Sequence, residues 1–194
     1  MTKASRRSVV IAAALMTVTL TGCGGEDDVP RGLLTEEDVS DTRLVSDTRE
    51  DTGLPVCHEL AMAELKLTFD NGSDSHRRFT LRNGDVLGTS VLALAPQYES
   101  VAEALETIDA GLDGCATSLL DGEAIERIPD LDAGMIGYRS STTTSTNKDV
   151  LTRVFAPHGD HIVIVGIESS GDQGIATVTS YMDTALERAD ELDD

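Results

Sequence analysis

The sequence predicts an α+β domain: an antiparallel β-sheet with two main helices packed on one face, preceded by a secretory signal peptide. Three observations carry this. Val101, Leu105, Ile108, Leu112, Cys115 and Leu119 recur at helical spacing and form one apolar stripe. Asn83-Gly84, a strong hairpin signal, separates Phe79-Thr80-Leu81 from the apolar stretch Val86–Leu94. Ile162–Ile167 is a near-continuous β-branched run, suited to a central strand. The resulting order of helix, strands, helix, strands, helix argues for α+β.

The elements follow in order. Lys3, Arg6 and Arg7 precede an apolar run from Val9 to Leu20, then small residues. These are the parts of a secretory signal, and the run is shorter than the roughly 20 helical residues needed to span a bilayer. Residues 24–32 read as a linker: Gly24-Gly25 is flexible, Glu26-Asp27-Asp28 is solvated, and Pro30 and Gly32 break structure. Leu33-Leu34-Thr35-Glu36-Glu37-Asp38-Val39 reads as the start of a short helix. Thr35 can cap it, acids fill its first turn, and Leu34 can staple to Val39. Residues 40–53 give no clear pattern and end in a turn at Gly53. After Leu54-Pro55-Val56-Cys57, the Ala-, Leu- and Met-rich stretch His58–Phe69 suits either helix or strand. Asp70-Asn71-Gly72-Ser73-Asp74 is a loop.

The strand ending at Leu94 is stopped by Pro96, and Ser100 with Glu103 forms a capping box for the helix that follows. Residues 122–128, 134–144 and 148–156 read as strands, and Pro157-His158-Gly159-Asp160 as a turn. Ser170 and Gln173 suggest a second capping box. Beyond it Ile175, Val178, Met182, Ala185 and Ala189 form the inner stripe of the last helix. The acidic tail Asp190-Glu191-Leu192-Asp193-Asp194 is expected to fray, because acids at a helix C-terminus oppose its dipole.

Leu20-Thr21-Gly22-Cys23 resembles the bacterial lipobox, a Leu, a small residue, Gly or Ala, and Cys. The resemblance implies that the Cys23 thiol carries a diacylglycerol and that a dedicated peptidase cuts before it. The chain then divides into a signal peptide (1–22), a lipidated N-terminus with linker (23–32) and a single domain (33–194). The expected place is the outer face of the cytoplasmic membrane, with the membrane as partner through the Cys23 lipid. Acylation by two chains anchors firmly, whereas one chain binds only marginally.

Removing 1–22 would leave 172 of 194 residues, enough for one domain with a real core. Aromatic residues make up 3% and Trp is absent, so that core is expected to be aliphatic. Net charge is −20, and nearer −23 without the three basic groups of the first 22 residues. Such a chain is a poor ligand for nucleic acid or anionic headgroups, which are bound by Lys and Arg. It suits solubility and the attraction of cations. Apart from Cys23 the cysteines are Cys57 and Cys115. In an exported chain they form one possible intramolecular disulfide, and otherwise two buried thiols.

Several stretches resemble the PknH-like extracellular sensor domain of actinobacterial Ser/Thr kinases and stand-alone lipoproteins. Leu33-Leu34-Thr35-Glu36-Glu37-Asp38-Val39 is similar to its opening, and Leu54-Pro55-Val56-Cys57 to its first Cys segment. Ala102–Cys115 resembles its helix ending in a second Cys, and Asp149–Glu168 with the terminal helix its closing hairpin and helix. The resemblance spans most of 33–190. It implies an antiparallel sheet with helices on one face, a Cys57–Cys115 bridge, and a cleft for an unidentified ligand. This chain departs from the pattern: it lacks Trp, a second cysteine pair and a kinase domain.

His158 and His161 with Asp160 between them offer metal ligands, but they fall in a hairpin turn with no third ligand specified. Asp70, Asn71, Ser73 and Asp74 offer oxygens without the spacing of a calcium loop. In Cys57-His58 the adjacent side chains point apart, and Cys115 is the better partner for the thiol. Ser140–Thr146 suits a polar strand and loop, a glycosylated segment or a groove edge. No nucleophile elbow or phosphate loop occurs, and no Ser-x-x-Lys pair begins a helix. The expectation is therefore a non-enzymatic domain without cofactor or metal, which binds a small molecule or an envelope protein. A structural or accessory envelope protein is the alternative, with an envelope hydrolase third.

Overall fold

Seven antiparallel strands form one sheet in the computed structural model, which describes residues 32–39, 43–46, 53–70, 74–115, 119–145, 148–170 and 174–192. The elements are β1 (Arg43–Ser46), α1 (His58–Asp70), β2 (Asp74–Thr80), β3 (Val86–Ala93), α2 (Val101–Gly114), β4 (Glu123–Arg127), β5 (Ile136–Thr143), β6 (Lys148–His158), β7 (His161–Ser169) and α3 (Gly174–Ala189). The strand order is β1-β2-β3-β7-β6-β5-β4. Two meanders, β1-β2-β3 and β4-β5-β6-β7, are thus joined where β3 pairs with β7. The β-branched run 162–167 lies in β7, at the centre, with a strand on either side.

Side-chain alternation sorts the core into two layers. On β6 and β7, Val154, Ala156, Val163, Val165 and Ile167 face α3 together with Phe79, Leu87 and Val91. Their neighbours Leu151, Phe155 and Ile162 face α1 and α2, with Leu92 and Tyr138. The α+β class and the antiparallel sheet agree with the sequence reading, but the helix placement differs. The two clearest amphipathic helices, α2 and α3, lie on opposite faces, and the helix sharing a face with α2 is α1. The reason is visible in β6 and β7, whose residues are apolar on both sides and so demand cover on both. The core is largely aliphatic, yet Tyr138, Phe79 and Phe155 are among its largest buried side chains.

Stretch 58–70 resolves as a helix. Leu, Ala, Glu, Met and Lys favour it, and the Cys57 carbonyl accepts from Ala61 N–H at 2.9 Å. It crosses α2 where side chains are small: a Cβ on Gly111 would lie 2.9 Å from the Ala63 Cβ. Ser100 caps α2 by accepting from Glu103 N–H at 3.2 Å, while the Glu103 carboxylate reaches back to Glu99 N–H at 2.6 Å. The β2–β3 hairpin turns at Leu81–Gly84, where Gly84 N–H donates to the Leu81 carbonyl at 2.9 Å. Gly84 there has φ +90°, which is cheap only for glycine.

The structure revises four local expectations and leaves a fifth outside the described residues. Residues 33–39 form a single turn, not a helix. The Asp38 carboxylate accepts from Thr35 N–H at 2.7 Å and is gripped by Arg188 of α3 at 2.8 and 2.9 Å. Leu33, Leu34 and Val39 are buried around this turn. Residues 43–46, without a pattern in sequence, form edge strand β1 by pairing with β2. The turn read at 157–160 narrows to Gly159-Asp160, since His158 still pairs with His161. The described part of α3 begins at Gly174; the proposed box at Ser170 and Gln173 runs through 171–173, outside the described residues. The acidic tail does not simply fray: Asp190–Leu192 is a 3-10 turn, and Leu192 packs against Gly32.

Candidate functional site

The site is built by a strap, Gly53–Val56, laid across three neighbouring strands. Gly53 N–H donates to Glu168 Oε1 of β7 at 2.6 Å. Arg153 Nη2 of β6 donates to the Gly53 carbonyl at 3.1 Å. Val56 N–H donates to Ser140 Oγ of β5 at 3.0 Å. Register explains the convergence: Ser140 pairs with Leu151, and Leu151 with Glu168, so their side chains rise from one face. Pro55 lacks an N–H and makes no such demand. One residue beyond the strap, Cys57 is disulfide-bonded to Cys115 at the end of α2, with a Cα–Cα distance of 5.6 Å.

Beside the strap lies a cavity of about 410 Å³. Its far wall is the Asn83–Val86 turn, and its floor includes Thr142, Leu151 and Glu168. Leu54, Val56, Val86 and Leu151 supply apolar surface; Asp85, Asp149 and Glu168 supply carboxylates; Ser140 and Thr142 supply hydroxyls. The volume falls within the range of small-molecule sites. A second depression, of about 450 Å³, lies between α3 and residues 130–135, with Val154, Met135 and Met182 at its base. Only the first is walled by a segment that buried side chains hold in place.

Those side chains form a charged cluster behind the strap. Glu64 of α1 accepts hydrogen bonds from the Tyr138 hydroxyl and from Arg153 Nη1. Both charged side chains are 3% exposed. Burying either alone would cost several kcal/mol, so the pair stands or falls together. It ties α1 to β5 and β6 and aims the second Arg153 nitrogen at Gly53. On the other flank Arg78 Nη2 lies 3.7 Å from Glu168 Oε1.

Elsewhere, Cys23 and the signal peptide lie outside the described residues. Cys57 and Cys115 meet as expected, and Cys57 is therefore no thiol nucleophile for His58. His158 and His161 do sit side by side across the β6–β7 turn, and His158 Nε2 lies 3.4 Å from Asp190 Oδ1. Among the described residues no group of three His, Cys, Asp or Glu could hold a metal ion. Of the Asp70–Asp74 loop, residues 71–73 lie outside the described residues. Within Ser140–Thr146 the groove-edge reading fits two residues, since Ser140 and Thr142 line the cavity, whereas Thr143 and Thr144 are exposed.

Sequence reasoning missed Gly53, Glu64, Arg153 and Glu168. A signal existed for two of them. Glu64 falls four residues after Leu60, on the buried stripe of α1, and Arg153 falls between Leu151 and Phe155 on a buried strand face. A charge at a core position implies a partner. No protein-family model and no curated protein matches this chain.

Proposed function

We propose that this is a membrane-anchored extracytoplasmic lipoprotein whose domain binds a small molecule in the cavity beside the Gly53–Val56 strap. The anchor is the diacylglycerol on Cys23 implied by Leu20-Thr21-Gly22-Cys23. The Cys57–Cys115 disulfide fits an oxidising compartment. The observation that carries the reading is the cavity itself: an open space of about 410 Å³ whose wall is fixed by hydrogen bonds from β5, β6 and β7. A domain acting only through its outer surface has no use for such a construction. Exposed large hydrophobics among the described residues are Leu54, Met62 and Leu120, on separate segments, and they favour no docking face.

Binding is preferred to hydrolysis on the chemistry of the lining. Ser140 Oγ already accepts the Val56 N–H, the lining includes no His or Lys to activate a serine, and two of its three carboxylates are engaged, Glu168 by Gly53 N–H and Asp85 by Asn83 Nδ2. The sensor-domain resemblance is in keeping with a ligand cleft, without naming the ligand.

The test is native mass spectrometry of the protein isolated from its own envelope, beside a denatured control. The expected result is a mass carrying the acyl modification, plus a non-covalent adduct lost on denaturation. A protein that shows the acyl mass and no adduct under any gentle condition counts against a resident ligand. A protein without the acyl mass removes the anchor.

A further inference from the structure

We infer that the cavity beside the strap takes an organic ammonium, a primary or secondary amine on a compact apolar body. The inference rests on the ligand-binding reading above and supplies its ligand class.

The lining decides the sign of charge. Three carboxylates border the cavity, Asp85, Asp149 and Glu168, and none of the residues lining it is Lys or Arg. Arg153 pairs with Glu64, away from the lining, while Arg78 lies 3.7 Å from Glu168 and offsets part of that carboxylate's charge, so Asp85 and Asp149 carry the negative field of the cavity. Glu168 also accepts the Gly53 N–H, and Asp85 accepts from Asn83 Nδ2 at 2.7 Å. Asp149 stands exposed at the rim, directly across the ladder from Thr142. An anion entering here would meet repulsion from the rim and from a chain of net charge −20.

The lining also decides which cation. A metal ion needs several ligands drawn close together, and no such group of three exists among the described residues. A quaternary ammonium is held by aromatic faces, and the lining includes no Phe, Tyr or Trp. A primary ammonium instead carries up to three N–H donors, which suit a carboxylate and the hydroxyl of Thr142, across the ladder from Asp149. Leu54, Val56, Val86 and Leu151 leave an apolar wall for the rest of the molecule.

The test uses four probes of one skeleton on the full-length, isotopically labelled chain in a neutral detergent: cyclohexylamine, cyclohexanol, cyclohexanecarboxylate and trimethylcyclohexylammonium. Amide shifts of Gly53, Val56, Gly84 and Thr142 are followed at pH 7. Cyclohexylamine is expected to move these amides and to saturate at about tenfold lower concentration than cyclohexanol, the difference a charged hydrogen bond makes. Asp149→Asn is expected to weaken the amine about fivefold, in the range of a partly screened charge, and to leave the alcohol unchanged. Glu187→Gln removes an equal charge from the exposed face of α3 and is expected to change nothing. If the alcohol or the trimethyl compound binds these amides as well as the amine, the ligand class is wrong and the binding site stands. If Glu187→Gln weakens the amine as much as Asp149→Asn, the attraction is diffuse and the inference fails. If no probe moves the cavity amides, the inference fails, and the adduct sought by native mass spectrometry alone decides the ligand-binding reading.

Discussion

At the scale of single residues, two ionic arrangements do different jobs. Glu64 and Arg153 are sealed inside, each 3% exposed, and the Tyr138 hydroxyl donates to the same carboxylate. Glu64→Ala would strand the Arg153 guanidinium without its buried counter-charge. It is expected to cost about 3–5 kcal/mol in urea unfolding, whereas the double change Glu64→Leu with Arg153→Met is expected to cost much less. A double variant as damaged as the single one would show that shape, not charge pairing, is what matters there. Asp38 and Arg188 work nearer the surface, at 11% and 31% side-chain exposure. Burial pushes the Asp38 carboxyl up, but the hydrogen bonds from Arg188 and Thr35 outweigh it, and the net shift is downward. Arg188 is shifted upward by its hydrogen bonds to Asp38 and Glu191. The sign follows by linkage: a carboxyl with a lowered folded pKa adds stability that is complete above the unfolded value of about 3.9. That stability is lost as pH falls through the lower, folded value. Asp38→Asn should therefore cost about 1–3 kcal/mol near neutrality, and the gap between variant and parent should narrow as the solution is acidified below the unfolded carboxyl value of about 3.9 and through the lower, folded one. A gap independent of pH would mean that the turn at 33–39 is held by packing alone.

At the scale of elements, what was legible depended on whether local chemistry and tertiary context agreed. The α2 stripe, the Asn83-Gly84 hairpin and the central run 162–167 could be read because periodicity, capping and turn residues all pointed one way. The 33–39 turn misled for a physical reason: Thr35 and Asp38 look like a helix cap and first-turn acid, but Asp38 is drawn to Arg188 instead. β1 was illegible because its pairing is with β2, and no pattern within 43–46 announces that. The site was legible only at its staple. Cys57 and Cys115 could be paired by counting, whereas the Gly53 strap depends on three strands meeting in register. The staple has a measurable weight. It closes a loop of 58 residues, and the chain-entropy model assigns this roughly 4 kcal/mol. Replacing both cysteines by Ser is expected to lower unfolding stability by about that amount and to loosen α1 against α2. Amide exchange should then rise in α1, in α2 and at the strap, while the face covered by α3 stays protected. Uniform loss of protection would mean that the two layers of the core unfold as one.

At the scale of the whole molecule, the faces of the sheet divide the labour. The layer under α3 is mainly apolar, with Arg77, Thr89 and Thr152 buried in it, and holds residues 32–39 to the last helix and turn, through Asp38 with Arg188 and Gly32 against Leu192. The layer under α1 and α2 is apolar at one end and polar at the other, where the strap and cavity lie. This polarity was not readable in advance, because it requires knowing which residues of β5, β6 and β7 share a face. Charge was readable at once, and it has a consequence for the molecule as a unit. A net −20 on 194 residues repels itself in the folded state more than in the expanded chain. Salt shortens the reach of that repulsion from about 30 Å at 0.01 M to about 3 Å at 1 M. It also weakens exposed ion pairs such as Arg127 with Asp113, but pairs of that kind contribute only about 0–1 kcal/mol each. Repulsion summed over the surface should therefore dominate. The melting temperature is expected to rise by about 3–6 °C between 10 mM and 0.5 M NaCl, equivalent to roughly 1–2 kcal/mol. A fall over that range, measured by circular dichroism at fixed pH, would show that specific pairs outweigh the net charge. The acidic surface would then act on the molecule's surroundings, as a collector of cations near the cavity, rather than as a burden on its fold.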